Sequence, residues 1–286
     1  MVLTKLKSYG ELVMFSHTLF SLSFAIISMC WAAEGLPSLR LVILILIALI
    51  SGRTGANALN RWVDKDIDKK NPRTADRQLP QGRIKEVEVL GLTTICFMIF
   101  VITAFMINGL CFYLSPLALI IFFAYSYTKR FTWASHIVLG IAVAGAPVGA
   151  WFAVTGRFSF IPFIIGAVVA LWVAGFDIIY ATQDIDFDRD NKLFSIPSYF
   201  GLKNALLIAK VFHSLMIVLL LGLYEIMNLG VVYLMGIIIA AILIGIEHFI
   251  ISPENRGKMK IASYSMNQIL SMEILLFTMV DFFIMR

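Results

Sequence analysis

Residues 60–82 read NRWVDKDIDKKNPRTADRQLPQG and residues 180–188 read YATQDIDFD, two polar stretches in a 286-residue chain that is otherwise mostly apolar. The first carries ten charged side chains. Around them, apolar segments fall near 13–33, 41–59, 87–107, 110–128, 135–154, 160–180, 204–225, 229–251 and 264–285. Each is close to the roughly 20 residues a helix needs to cross a bilayer core. None alternates with the period of a barrel strand, and in hydrocarbon every backbone N–H and C=O must be satisfied within its own segment. The expectation is an all-α integral membrane protein, a bundle of nine transmembrane helices with two aspartate-rich cytoplasmic loops.

Composition agrees. Sixty per cent of the residues are hydrophobic, 14% are charged and the mean hydropathy is +0.88, whereas roughly a quarter of a soluble domain is charged. Nine spans and their connections use nearly the whole length, which predicts a single membrane-embedded domain over 1–286. The first apolar run is too long for a signal-peptide core and is read as a retained span. Cys30, Cys96 and Cys111 sit in apolar runs without metal-ligand spacing and read as small hydrophobes. The net charge of +5 is dispersed among short connections rather than gathered into a patch, which argues against nucleic acid as a partner.

Basic residues set an orientation. With the N-terminus inside, twenty of the twenty-three Lys and Arg fall on the cytoplasmic side, and only Arg40, Arg157 and Arg286 fall outside. This asymmetry predicts a multi-pass protein of the inner (cytoplasmic) membrane, with the N-terminus and both polar stretches in the cytoplasm. Nine of the ten aspartates lie in or beside those stretches, Asp281 being the exception.

An offset of 120 residues superposes Asp64 on Asp184, Asp66 on Asp186 and Asp68 on Asp188, a weak internal repeat. An even number of expected spans separates the two copies, so both belong to one membrane face. If the preceding helices continue into the motifs, residues four apart share a face, which pairs Asp64 with Asp68, Asp184 with Asp188 and adds Asn60. Carboxylates crowded in this way need a cation among them. All-oxygen donors without Cys or His favour Mg²⁺, which takes one or two carboxylates and completes its shell with water and phosphate. DKDIDKKNPRTA lacks the Gly and Glu of a calcium-binding EF-hand loop. Arg73, Arg77, Lys129, Arg130, Arg189 and Lys192 stand beside the acids, and a metal flanked by basic groups suits a diphosphate. Tyr125, four residues before Lys129, shares its helical face.

These motifs resemble the two aspartate motifs of the UbiA superfamily of intramembrane aromatic prenyltransferases. The first, with its R-T-x-x-R-x-L-P-x-G tail, the D-x-x-x-D of the second and the Y-x-x-x-K in YSYTK at 125–129 all match. The resemblance implies nine transmembrane helices. It also implies that Asn60, Asp64, Asp68, Asp184 and Asp188 hold two Mg²⁺ on a prenyl diphosphate, with Tyr125, Lys129 and Arg73 touching substrate. Members making ubiquinone precursors generally carry Arg and Pro-x-Gly in the first helix. Here MFSHTLFSLSFA at 14–25 looks more like the subgroup implicated in menaquinone synthesis by the futalosine route. The expected activity is transfer of a polyprenyl group from a prenyl diphosphate to an aromatic carboxylate such as 4-hydroxybenzoate, or to a dihydroxynaphthoate, in quinone biosynthesis. Metal and basic groups stabilise the departing diphosphate, and an electron-rich ring attacks the allylic cation.

Other polar residues rank lower. Arg53 and Asp177 lie inside apolar segments, where charge is seldom filler, and are candidates for the acceptor pocket. His17 is read first as a packing histidine, and His136, His213 and His248 receive no role. GAPVG at 145–149 has small-residue packing spacing. A transporter is the competing class, but it would place its charges near mid-bilayer, whereas nearly all the acids here cluster at one expected face.

Overall fold

The computed structural model describes residues 9–12, 18–251 and 266–284. Its helices are α1 (Thr18–Ala33), α2 (Leu39–Val63), α3 (Lys65–Lys70), α4 (Glu86–Ile107), α5 (Gly109–Thr128), α6 (Ser135–Thr155), α7 (Ile161–Ala181), α8 (Ile185–Asp190), α9 (Ile196–Ile226), α10 (Val231–Ile250) and α11 (Asn267–Ile284), with a 3-10 turn at Thr182–Asp184. Among the described residues there is no strand. Eight of these helices are long and apolar enough to cross a membrane, so the protein is multi-pass. The ninth expected span corresponds to α1, which has 16 residues, fewer than the roughly 20 of a full crossing. Residues 13–17, including His17, lie outside the described residues.

The two polar stretches differ from the expected loops, because both aspartate motifs are helical. KDIDKK forms α3 and IDFDRD forms α8. In each, acids occupy the first turn and a basic residue the last, which complements the helix dipole.

The chain divides into two compact units, one of residues 1–18 and 38–127, the other of residues 19–37 and 128–286. In the first, α2 packs along α4. Leu12, Ala58, Ile84 and Val89 form a core at the end of α2 that carries Asp64, with Trp62 and Leu79 packed against it. There the Trp62 indole donates to Glu86 at 3.2 Å and Lys65 pairs with the same carboxylate, pinning the start of α4 beside the end of α2.

In the second unit α7 is the most enclosed span, packed between α6 and α9. Trp172, Ile178 and Ile179 are fully buried along it. The helical run from Ile196 bends at Gly201, whose φ of 79° lies in the left-handed region that glycine adopts without a Cβ penalty.

Candidate active site

Both motifs start from the same backbone feature. Asp64 ends α2 and opens α3 with φ −89° and ψ 0°, and Asp184 precedes α8 with φ −102° and ψ 8°. This sparsely populated bridge conformation interrupts the helix for one residue at Asp64 and closes the 3-10 turn Thr182–Asp184 at the second motif. The ladder survives the first interruption: Asp64 N donates to Asn60 O at 2.9 Å and Asp68 N to Asp64 O at 2.8 Å. The four-residue spacing is therefore preserved across the break.

Burial sorts the carboxylates as that spacing requires. Asp64 and Asp68 are each 4% exposed, and Asp184 and Asp188 are half-buried. Asp66 and Asp186, the matched residues between them, are exposed. Asn60 Nδ2 donates to Asp64 Oδ2 at 3.2 Å, so the expected row of Asn60 and Asp64 exists as a contact.

The tail of the first motif folds back onto it. Asn71 Oδ1 accepts from Arg73 N at 2.9 Å, an Asx-type turn. Thr74 Oγ1 donates to Asp68 O at 3.0 Å, and Arg77 Nη1 lies 2.7 Å from both oxygens of the Asp68 carboxylate. The R-T-x-x-R pattern thus has a local reason: its Thr and second Arg hold the last aspartate of the motif. Arg73 itself is exposed.

The second motif is held differently. Ser195 Oγ donates to Asp188 Oδ2 at 2.8 Å, and the same oxygen accepts from Ser198 N at 3.1 Å to cap α9. Leu193 N donates to Asp188 O and Phe194 N to Lys129 O, both at 2.8 Å, which ties the segment after α8 to the segment after α5. Lys129, His136 and Asp184 lie near enough to act on the Asp188 charge.

Tyr125 lies in the last turn of α5 and belongs to the first unit, whereas Lys129 follows that helix and belongs to the second. Arg53 is within α2, and its Nε is buried without a hydrogen-bond partner among the described residues. Asp177 is bonded to His136 through Oδ2 and Nδ1 at 2.7 Å. Sequence reading gave His136 no role because its partner lies 41 residues away on another helix. His213 and His248 are likewise paired with each other, at 3.0 Å. Ser195 was also missed, although a Ser three residues before another Ser at a helix start was a visible capping signal.

The donor set fits Mg²⁺: carboxylate and amide oxygens, without thiolate. Among the described residues no three His, Cys, Asp or Glu side chains gather into a metal cluster.

An apolar groove of about 510 Å³ lies within the first unit, lined by residues that include Leu59, Trp62, Phe97, Ile102 and Phe123. It starts two residues from Asp64 and follows α4 from Leu90 to Ile102, a rise of about 18 Å.

Comparison with known proteins gives a consistent picture. The model of the UbiA prenyltransferase family matches residues 21–270. A 4-hydroxybenzoate octaprenyltransferase of Vibrio parahaemolyticus is 28% identical over 259 residues, covering 88% of this chain and 89% of that protein. The apo structure of a UbiA homologue from Aeropyrum pernix K1 superposes with a TM-score of 0.85 at 32% identity, covering 93% of this chain and 98% of that one. A UbiA homologue from Archaeoglobus fulgidus, bound to GPP and Mg²⁺, shares the fold with a TM-score of 0.66 at 20% identity, covering 96% of this chain and 99% of that one.

Proposed function

The chain belongs to the UbiA prenyltransferase family, and from that premise we propose that it transfers a polyprenyl group from a prenyl diphosphate to an aromatic carboxylate such as 4-hydroxybenzoate, in quinone biosynthesis. One observation carries the proposal furthest. Two motifs 120 residues apart each open a short helix at a bridge-region aspartate and bury or half-bury matching aspartates, while the aspartate between each pair stays exposed. Topological charge has no reason to sort itself in this way.

In this reading Asn60, Asp64 and Asp68 are the Mg²⁺ ligands of the first motif and Asp184 and Asp188 those of the second. When bound, Mg²⁺ supplies positive charge to the diphosphate as its allylic C–O bond breaks. The protein's own residues prepare that step. Asn60 orients Asp64, Arg77 fixes Asp68 and Ser195 fixes Asp188. Lys129, Arg73 and Tyr125 serve the diphosphate as cation and hydroxyl donors that strengthen as charge builds on the leaving group. The Arg53 guanidinium, whose buried Nε has no partner among the described residues, is assigned to the acceptor carboxylate. The polyprenyl chain is assigned to the groove that begins at Leu59 and Trp62, where apolar walls match an apolar tail. The excess of Lys and Arg supports a cytoplasmic N-terminus and cytoplasmic aspartate motifs at the inner membrane.

The names of relatives support this reading: the Vibrio protein is called a 4-hydroxybenzoate octaprenyltransferase and the Archaeoglobus homologue was solved with GPP and Mg²⁺. The test incubates washed membranes holding the protein with farnesyl or geranylgeranyl diphosphate and a panel of phenolic acids that includes 4-hydroxybenzoate and a dihydroxynaphthoate. Products are identified by mass. The expected product is the acceptor plus one prenyl group, lost on adding EDTA. No product with any phenol, or turnover that survives EDTA, overturns the proposal.

A further inference from the structure

Between the start of α6 and the end of α7 lies a bonded pair, Asp177, which the sequence makes a candidate for the acceptor pocket, and His136, to which it gives no role. The two helices run side by side, and Gly140 brings them into backbone contact: a Cβ there would stand 2.3 Å from Ala170 O. That seam fixes the distance between His136, in the first turn of α6, and Asp177, in the last turns of α7. His136 Nδ1 lies 2.7 Å from Asp177 Oδ2.

The two partners are unequal. The His136 side chain is 6% exposed and that of Asp177 is 26% exposed. His136 Nε2 is buried and has no hydrogen-bond partner among the described residues. Nδ1 is the ring nitrogen that faces the carboxylate, which has only acceptors to offer when ionised, so Nδ1 is the donor to Asp177. The imidazole therefore points a donor at the carboxylate and is itself out of reach. Asp177 has one oxygen fixed from behind and a side chain that still meets its surroundings.

Asp177 precedes Asp184 by seven residues, two helical turns, or about 10 Å along the axis. A benzene ring bearing a hydroxyl fits that interval, with the hydroxyl at Asp177 and the ring toward the diphosphate end. We propose that Asp177 is a catalytic residue that accepts the phenolic proton of the aromatic acceptor, and that His136 is the positioning residue that holds its carboxylate. The inference rests on the prenyl-transfer reading and deepens it, placing the phenol on the second unit.

The step balances within the reaction itself. The phenolic O–H breaks, its proton goes to Asp177 and its electron pair stays on oxygen. The ring carbon ortho to that oxygen then forms a bond to the prenyl C1, while the C1–O bond breaks with its pair leaving on the diphosphate. The resulting dienone loses its ring C–H proton to a diphosphate oxygen, and the carbonyl oxygen recovers the proton from Asp177. No oxidant, reductant or further reactant is needed. Lys129, Asp184 and Asp188 are charged groups at the same end of the second unit, as are Arg130, Asp186, Arg189, Asp190 and Lys192.

The experiment compares Asp177→Asn, His136→Ala and His136→Gln with the unmodified protein in membranes, using 4-hydroxybenzoate and ring-fluorinated analogues of increasing phenol acidity. Asp177→Asn is expected to lower kcat by about 10²-fold, the low end for a lost general base, with the KM for prenyl diphosphate unchanged. The deficit should shrink as the acceptor becomes more acidic, because such phenols reach the site already ionised. His136→Ala should show the same acidity dependence with a smaller loss, and His136→Gln, which keeps an N–H donor, should recover part of it. Turnover of Asp177→Asn within twofold of the unmodified protein overturns the proposal. So does a deficit equal across all the acceptors, which marks a packing role. If Asp177→Asn does not accumulate, the two His136 variants decide by the same acidity criterion. An unmodified protein that prenylates no phenol would instead sink the proposed function, so the two failures are distinguishable.

Discussion

The two aspartate motifs share a bridge-region opening aspartate and a spacing but not a way of holding their last carboxylate. Asp68 lies against the Arg77 guanidinium, with both oxygens at 2.7 Å, inside a tail that folds back on the motif. Asp188 receives a neutral hydroxyl from Ser195 and has Asp184 acting on it as a like charge. The first motif carries its counter-charge within its own 23 residues. The second depends on a hydroxyl that also caps a helix, and on cations supplied from elsewhere. Fixing a carboxylate in place and neutralising it are separate tasks, and the two motifs divide them differently.

The largest effect tests what the motifs have in common. Asp64→Ala and Asp184→Ala should each cut prenyl transfer by about 10³-fold or more, the upper range for losing an electrostatic stabiliser of the reaction. Asp66→Asn and Asp186→Asn, which alter the exposed partners of the repeat, should stay within about twofold. The measurement is product formation in membranes at matched protein levels. Equal losses from Asp186→Asn and Asp184→Ala would end the argument that burial separates site from surface.

The next effect probes the difference. Removing Arg77 leaves Asp68 buried at 4% exposure without its cation, and breaking a buried pair costs about 3–5 kcal/mol. The Arg77 side chain is a quarter exposed, so solvent screens part of this, and Arg77→Ala should lose about 3 kcal/mol in thermal unfolding of the detergent-solubilised protein. Added Mg²⁺ should return a share of that loss by binding the native state. Ser195→Ala should cost less, about 1–2 kcal/mol for one cap and one hydrogen bond to a carboxylate. A Ser195→Ala loss larger than that of Arg77→Ala would reverse the contrast between the motifs.

Much of this was legible in the sequence because hydropathy reports the solvent around each segment. The run 87–107 became Glu86–Ile107 and the run 160–180 became Ile161–Ala181, since a span ends where water begins. The four-residue pairing was legible for a similar reason, helical periodicity. The polar stretches were read as loops, and residues 71–84 are turns and bends, but KDIDKK and IDFDRD are short helices, because charge density reports exposure and says little about backbone conformation. Least legible was the His136–Asp177 contact. It depends on how closely two spans approach at Gly140, and no residue near either partner in sequence records that distance.

Asp281 sharpens the comparison from outside the motifs. It is the one aspartate that lies neither in nor beside a polar stretch, and it is fully buried. Its carboxylate accepts from Gly230 N at 2.7 Å and Tyr233 N at 3.1 Å. Those are N–H groups at the start of α10, which no earlier turn of that helix can satisfy. A carboxylate there is also favoured by the helix dipole. Burial alone therefore does not mark an aspartate as part of the active site; what matters is whether fixed backbone donors already use its oxygens. Asp281→Asn keeps the shape and one acceptor oxygen while removing the charge. Its amide nitrogen then faces one of the two backbone donors, so it should lower stability by about 1–3 kcal/mol and leave prenyl transfer within twofold, read by thermal unfolding and product formation on one preparation. A tenfold loss of activity at unchanged stability would make Asp281 a site residue after all.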